Sequence, residues 1–300
     1  MKKKLAIAAL SLAVSASIAG ALLAESVFSF ETINFPTDTF TQLLGINDNG
    51  GIAGYHGSGA AGHPNQGFTL VPPRSFNGEN FPGSVQTQVI GINNGAGTDG
   101  FYIDTAGVNH GFTRIAGTFA TVDFPNKTSV LTQLLGINNE DEVAGYWQNG
   151  AGVQFPFTGK GGTFTPIDSS LPSNTSAQAT GVNDSGDVSG FFVDSAGVNH
   201  GFLLHNGVLT VLDFPAATFT QALGLNNLQE VVGTYMDASG NTHGFLYDAK
   251  ALEYQSVNDP HGVDTTVVNG INNQGQIVGF YVDSLGNTDG FLAHIVRCEQ

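Results

Sequence analysis

Beyond residue 24 the chain is written in short apolar runs, each stopped by Gly, Asn, Asp or Pro. One stretch shows four in succession, at 209–215, 220–226, 231–235 and 242–247. Runs of five to seven residues, rich in β-branched and aromatic side chains and bounded in this way, predict β-strands. Between the second and third runs stands Asn-x-x-Gly or a close relative, as at Asn47 and Gly50, Asn183 and Gly186, and Asn272 and Gly275. Between the third and fourth stands Asp-x-x-Gly, beginning at Asp104, Asp194, Asp237 and Asp283. An Asx residue opens a type I turn and a left-handed glycine completes a short hairpin. Hairpin follows hairpin, so the expected unit is an antiparallel meander.

The unit recurs. Gly-Ile-Asn-Asn or a near variant begins at Gly45, Gly91, Gly136, Gly181, Gly224 and Gly270, at spacings of 46, 45, 45, 43 and 46 residues. Asn34, Asn80, Asp123, Asp168, Asp213 and Asn258 mark the end of one run per unit, with Pro36, Pro82, Pro125 and Pro215 two residues on. Gly-Phe recurs at Phe68, Phe112, Phe202, Phe245 and Phe291, and Pro156-Phe157 takes its place in the third unit. One large aromatic at a fixed position, beside a glycine that lets backbones approach, predicts the packing between neighbouring sheets.

Four-stranded meanders of about 45 residues are the units of β-propellers. The first Asx-Phe-Pro strand precedes the first Gly-Ile-Asn phrase, while the last unit ends on its Gly-Phe strand and lacks a fourth. The expected architecture is therefore an all-β, six-bladed propeller of four-stranded antiparallel blades, closed by the N-terminal strand pairing with the last blade. An open solenoid would need distinct capping units, and none is visible. The longest departures from the repeat are 56–65 and 72–80 in the first unit and the altered hairpin 95–104 in the second.

The N-terminus has a different character. Lys2, Lys3 and Lys4 precede a small-apolar run over 5–16, and Ala19, Gly20, Ala21 and Ala24 supply small residues for cleavage. This predicts a signal peptide over 1–24 and a single domain over 25–300, secreted to the exterior, with the periplasm as the alternative. Without the leader lysines, six basic residues face 25 acidic ones, a net charge of −19. That surface repels nucleic acid and anionic membranes, so neither is an expected partner, and no membrane insertion is expected once the leader is gone. Cys298 is the only cysteine, which excludes an internal disulfide; a monomer is expected.

Candidate chemistry is sparse. His110, His200 and His243, with Gln66 and Asp289 as their equivalents, stand before Gly-Phe at one position of the unit. They are candidate ligand-binding residues on one face, against a plainer role as hydrogen-bonding strand entries. Asp104, Asp194, Asp237 and Asp283 are weak calcium candidates, since each turn offers one carboxylate where calcium takes six to eight oxygens. No other cofactor is expected. Gln42, Gln88, Gln133, Gln178 and Gln221 recur three residues before the phrase glycine and would line a central channel or bond between blades. Tyr55, Tyr102, Tyr146 and Trp147 would suit sugar stacking, with core packing as the alternative. The Gly-x-Gly-x-x-Gly match at 57–62 is not followed by a helix and reads as a glycine loop. No catalytic residues are assigned. Acidic residues recur in step with the repeat, and the exceptions Asp141, Glu142 and Glu230 fall on hairpin tips.

The units GINNQGQIVGFYVDSLGNTDGFL and GVNDSGDVSGFFVDSAGVNHGFL resemble the bacterial extracellular repeats of the HAF family, named for a His-Ala-Phe-type motif. The matching places are His110, His200 and His243 before Gly-Phe, with Gly where the motif has Ala. The resemblance covers nearly all of the chain after the leader. It implies an exported, propeller-like protein and brings no catalytic residues. The expected function is a non-catalytic binding or interaction module for carbohydrate or an extracellular protein. The alternatives are an extracellular polysaccharide hydrolase or lyase, and a structural cell-surface protein.

Overall fold

A computed structural model describes residues 27–71 and 75–296; the expected leader and Cys298 lie outside the described residues. The chain opens with β1 (Val27–Thr32). A first meander follows, β2 (Thr41–Ile46), β3 (Ile52–His56), β4 (Gln66–Val71) and β5 (Ser75–Gly78). The second is β6 (Gln86–Ile92), β7 (Thr98–Ile103), β8 (Asn109–Ile115) and β9 (Thr118–Val122). The third is β10 (Ser129–Ile137), β11 (Val143–Asn149), β12 (Gln154–Lys160) and β13 (Thr163–Pro166). The fourth is β14 (Ser176–Val182), β15 (Val188–Val193), β16 (Asn199–His205) and β17 (Val208–Leu212). The fifth is β18 (Phe219–Leu225), β19 (Glu230–Met236), β20 (Thr242–Asp248) and β21 (Glu253–Val257). Three strands end the chain, β22 (Thr266–Ile271), β23 (Gln276–Val282) and β24 (Thr288–Val296).

The first, fourth and fifth meanders are four-stranded sheets in chain order, and the last sheet runs β1-β24-β23-β22. The second and third share one eight-stranded sheet, joined by a single parallel pair, Leu131 with Asn109. The protein is thus an all-β propeller of four-stranded antiparallel blades. β1 lies along β24 from Val27 opposite Val296 to Thr32 opposite Phe291.

Local chemistry explains the hairpins. Asn47 accepts the Gly50 amide on its carbonyl, and Gly50 takes φ +76°. The same left-handed place is held by Ala96, Asp141 and Gln229 in the second, third and fifth meanders, where glycine would be easier. Each innermost strand also slips register by one residue just before the phrase glycine, between Leu43 and Gly45 in β2 and at the equivalent places in β6, β10, β14, β18 and β22. Such a bulge bends the strand and deepens its twist.

The core is built once per repeat. Phe68, Phe112, Phe157, Phe202, Phe245 and Phe291 are all fully buried. The phenylalanine of each Asx-Phe-Pro segment crosses into the next meander's core. Phe35 meets Phe68 and Phe76, Phe81 meets Phe112 and Phe119, and Phe124 meets Phe157 and Phe164, at centroid distances of 5.0–5.9 Å. Aromatic pairs at this spacing add about 0.5–1.5 kcal/mol beyond their burial. Among the described residues, no helix is long and apolar enough to cross a membrane.

Candidate functional site

The phrase that defines the repeat also seals one end of the axis. Asn47 Nδ2 donates to the Asn93 carbonyl, Asn93 to Asn138, Asn138 to Asn183, Asn183 to Asn226, Asn226 to Asn272, and Asn272 back to Asn47, at 2.8–3.2 Å. A second ring stands on the next residue: the amide of Asp48 donates to the Asn94 side chain, and the pattern passes through Asn139, Asp184, Asn227 and Asn273 back to Asp48, at 2.8–2.9 Å. The space enclosed is about 70 Å3. That admits a few waters and no organic ligand. The other end is wider, about 210 Å3, and is lined by Gln42, Gln88 and Gln178 with Tyr55 and Phe101. Gln42, Gln88 and Gln178 therefore face the channel, and two of the repeating glutamines bond to the preceding meander: Gln178 reaches Gln154 of the third and Gln221 reaches Asn199 of the fourth.

The histidines before Gly-Phe sit where hairpin and strand end meet, and each is held by its own neighbours. His110 Nδ1 lies 2.8 Å from Asp123, with Asp104 at 3.5 Å from Nε2. His200 repeats this with Asp213 at 2.9 Å and Asp194 at 3.5 Å. His243 takes Asn258 and Asp237. The equivalents follow suit, Gln66 accepting from Asn80 and Asp289 from Asn34. The recurring Asx at the strand end is thus the fixed partner of the recurring residue before Gly-Phe. Tyr102, Tyr235 and Phe192 stack on the three rings at 5.1–5.2 Å. Tyr55, Tyr102, Tyr146 and Trp147 are buried, and Trp147 lies between Phe124 and Phe155.

The four calcium candidates spend their oxygens on the turn. In each, Oδ1 accepts the amides two and four residues on, Ala106 and Val108 for Asp104, and the same offsets for Asp194, Asp237 and Asp283. The Val108 and Val198 amides are the main reason that Asp104 and Asp194 sit below the usual carboxylate range. His243 and the Asn241 amide bring Asp237 to about 2. A chelator should leave the melting temperature unchanged, and millimolar calcium should not raise it. A saturated calcium site would add about 2.7 kcal/mol at a hundredfold excess over Kd, a shift of several degrees that calorimetry would register.

Asymmetry appears in the second meander. Three positions that are apolar in the other repeats are polar here: Glu79 stands where Val122, Ile167, Leu212 and Val257 stand, Thr98 where Ile52 and Val188 stand, and Arg114 where Leu70 and Leu204 stand. They find each other. Thr98 donates to Glu79, and Arg114 reaches the second Glu79 oxygen at 3.1 Å. Burial lifts the Glu79 pKa despite both partners. Asp99 replaces an Ala, Ser or Val of the other repeats. It is wholly buried; Oδ1 accepts the Gly91 amide at 2.8 Å and Oδ2 has no partner. Burial pushes its carboxyl up to about 7. These four residues belong to no recurring motif; their signal in the sequence is the aligned apolar columns that they interrupt.

Near Asp99 lies a cleft of about 500 Å3 between the second and third meanders. Thr113, directly opposite Asp99 on β8 and so on the same face, forms part of its wall. The cleft opens because side chains are small. Thr113 stands where Leu203, Leu246 and Leu292 stand, as Thr69 and Thr158 do in the first and third meanders, and Gly159 where Leu70, Leu204 and Tyr247 stand. Ile115, Val122, Val143 and Phe164 are its apolar lining, and Asp123, Asp141, Thr163 and Lys160 its polar lining. Asp141, which breaks the repeat in sequence, accepts a hydrogen bond from Asn93 at 2.8 Å, while Glu142 and Glu230 accept from Asn138 and Asn226 of the axial ring.

No family model matches the chain, and no curated protein matches it. Solved structures do. AofleA from Arthrobotrys oligospora aligns over 91% of this chain and 91% of its own, at 10% identity and a TM-score of 0.55. The Aleuria aurantia lectin, described as a six-bladed β-propeller with a novel mode of fucose recognition, aligns over 90% and 92% at 10% identity and a TM-score of 0.51. An oligogalacturonate lyase from Vibrio parahaemolyticus aligns over 91% and 99% at 9% identity and a TM-score of 0.50. At these identities the likeness establishes the propeller fold.

Proposed function

We propose that the protein is an exported, carbohydrate-binding six-bladed propeller of the HAF type. In this reading the eight-stranded sheet is two blades and β1 closes the ring on β24. The leader over 1–24 directs export, and calcium plays no part. The cleft between the second and third meanders carries the proposal. At about 500 Å3 it falls within the usual range for small-molecule sites, about 300–1,000 Å3. Its lining of both apolar and polar side chains suits a pyranose, which has a C–H face and a hydroxyl edge. Asp123 and Asp141 at the wall disfavour uronate or sulfated sugars and favour a neutral glycan. The fucose recognition described for the Aleuria aurantia lectin supports a sugar as a ligand class this fold accommodates.

A glycan array followed by calorimetry tests this. The protein should retain neutral glycans, and Thr113→Phe should reduce affinity at least tenfold by filling the cleft. Position 113 lines the cleft, and three of its equivalents are leucines, so the melting temperature should stay within about 3 °C. Binding that survives Thr113→Phe would move the site elsewhere on the ring.

A further inference from the structure

The longest insertion in the repeat carries a second arrangement, on the end of the ring opposite the asparagine girdle. The connection between β3 and β4 spans residues 57–65, where four other repeats use a five-residue Asp-x-x-Gly turn and the third uses Asn149-Gly-Ala-Gly152. Gly57, Gly59 and Gly62 take φ of +94°, +73° and +86°, so Ser58 stands exposed between two left-handed glycines. A side chain on Gly57 would strike the Pro64 carbonyl at 2.2 Å, which fixes glycine there. Ser58 Oγ lies 3.1 Å from His63 Nδ1, and His63 Nε2 lies 3.0 Å from Asp38 Oδ2. Asp38 is buried to 8% side-chain exposure and is steadied by His56 at 2.7 Å and the Phe40 amide at 2.9 Å. His56 itself stacks flat on Phe35 at 3.7 Å. With its proton on Nε2 toward the carboxylate, the His63 ring presents Nδ1 as a base to the serine hydroxyl.

Two further observations separate this from an ordinary loop contact. It occurs once in the ring, and the place of Asp38 is held by Ser84, Asn174 and Ala217 elsewhere. Asn65, 8% exposed, has a buried Oδ1 with no partner, and its amide group lies 3.4–3.5 Å from the place of a Cβ on Gly59, the residue after the serine. The unpaired Asn65 atom is an oxygen, an acceptor open to a hydroxyl donor of a ligand beside the serine.

We propose that Ser58, His63 and Asp38 form an acyl-transfer site that hydrolyses carboxylic esters carried on large, exposed substrates, with Asn65 Oδ1 beside it as an acceptor for a substrate hydroxyl. Ser58 Oγ attacks the ester carbonyl as its proton passes to His63 Nδ1. The C–O bond breaks, and the leaving alkoxide takes the proton from Nδ1 and departs as an alcohol. Water then attacks the acyl-serine by the same route, releasing the acid and restoring the serine, so ester and water become acid and alcohol. Asp38 acts as a positioning residue for His63. Ser58 stands exposed on its loop, which fits an ester on a polymer surface better than a free small molecule.

The test uses the full mature chain. A fluorophosphonate probe should label it, with the adduct mapped by mass spectrometry to Ser58, and p-nitrophenyl acetate should be turned over. Ser58→Ala should abolish labelling and cut turnover at least a hundredfold with no change in melting temperature. Asp38→Asn should slow labelling at least tenfold and shift the midpoint of its pH profile downward, a change that a purely structural role would not produce. An unlabelled protein, an adduct on another residue, or equal turnover by Ser58→Ala would overturn the proposal. Neither probe contains a sugar, so these results leave the cleft reading untouched in either direction.

Discussion

Asp99→Asn should stabilise the protein at pH 8 by roughly 4 kcal/mol and by almost nothing at pH 4. The reason is the burial of a carboxylate with one oxygen unpaired. Its folded pKa of about 7 stands above the 3.8 of the exposed group, so the folded state keeps a proton that the unfolded state releases. Stability from this group is complete below about pH 4, declines as the pH rises toward 7, and stays at its low level above that. Asparagine cannot ionise, yet its Oδ1 still accepts the Gly91 amide. Urea melts of both proteins at pH 4, 6 and 8 should therefore converge in acid and separate in base. Parallel curves at all three values would mean that the carboxylate is solvated after all. Glu79, shifted in the same direction by its own burial, should leave a smaller residual slope in the variant.

Gly190→Ala should cost more than about 4 kcal/mol, enough to prevent folding in a domain of ordinary stability. An added Cβ would lie 2.1 Å from the Gln178 carbonyl and 2.6 Å from the Phe202 ring. Neither can retreat. The carbonyl sits next to the bulge in β14, and Phe202 is the fully buried aromatic of its repeat. The same column contains Gly54, Gly100, Gly145, Gly233 and Gly279, each with a carbonyl of the innermost strand 2.0–2.3 Å from the hypothetical Cβ. The chain therefore keeps glycine there so that a phenylalanine can lie flat against backbone. Gly78→Ala is the control, with nothing within 4 Å and an ordinary φ, and should change stability by less than about 0.5 kcal/mol. A soluble Gly190→Ala protein with a near-normal urea midpoint would refute this account of the column.

These effects belong to different layers of the molecule. The glycine column, the buried phenylalanines and the asparagine rings recur around the axis and make the scaffold. The chemistry that departs from it lies in the first three meanders, where Ser58, Glu79, Asp99 and Gly159 each break a column. A ring that repeats itself can support a site once only by breaking its own pattern.

The amino-acid sequence by itself determined the strands, the hairpins and the offset that places an Asx-Phe-Pro strand ahead of the first phrase. These follow from local rules: a side-chain period of two, proline that ends a strand, and glycine that tolerates a left-handed turn. The histidines before Gly-Phe were visible as a column, but not the fact that Asp123, Asp213 and Asn258 already hold them. Only the tertiary structure decided which repeats share a wall. It brought Asn272 to Asn47 across 225 residues, gathered Glu79, Thr98 and Arg114 into one buried cluster, and left a cleft that Thr113 and Gly159 line together. A single repeat cannot specify such contacts, because whether a small or charged residue opens a cleft or fills a gap depends on the side chains of the neighbour it packs against.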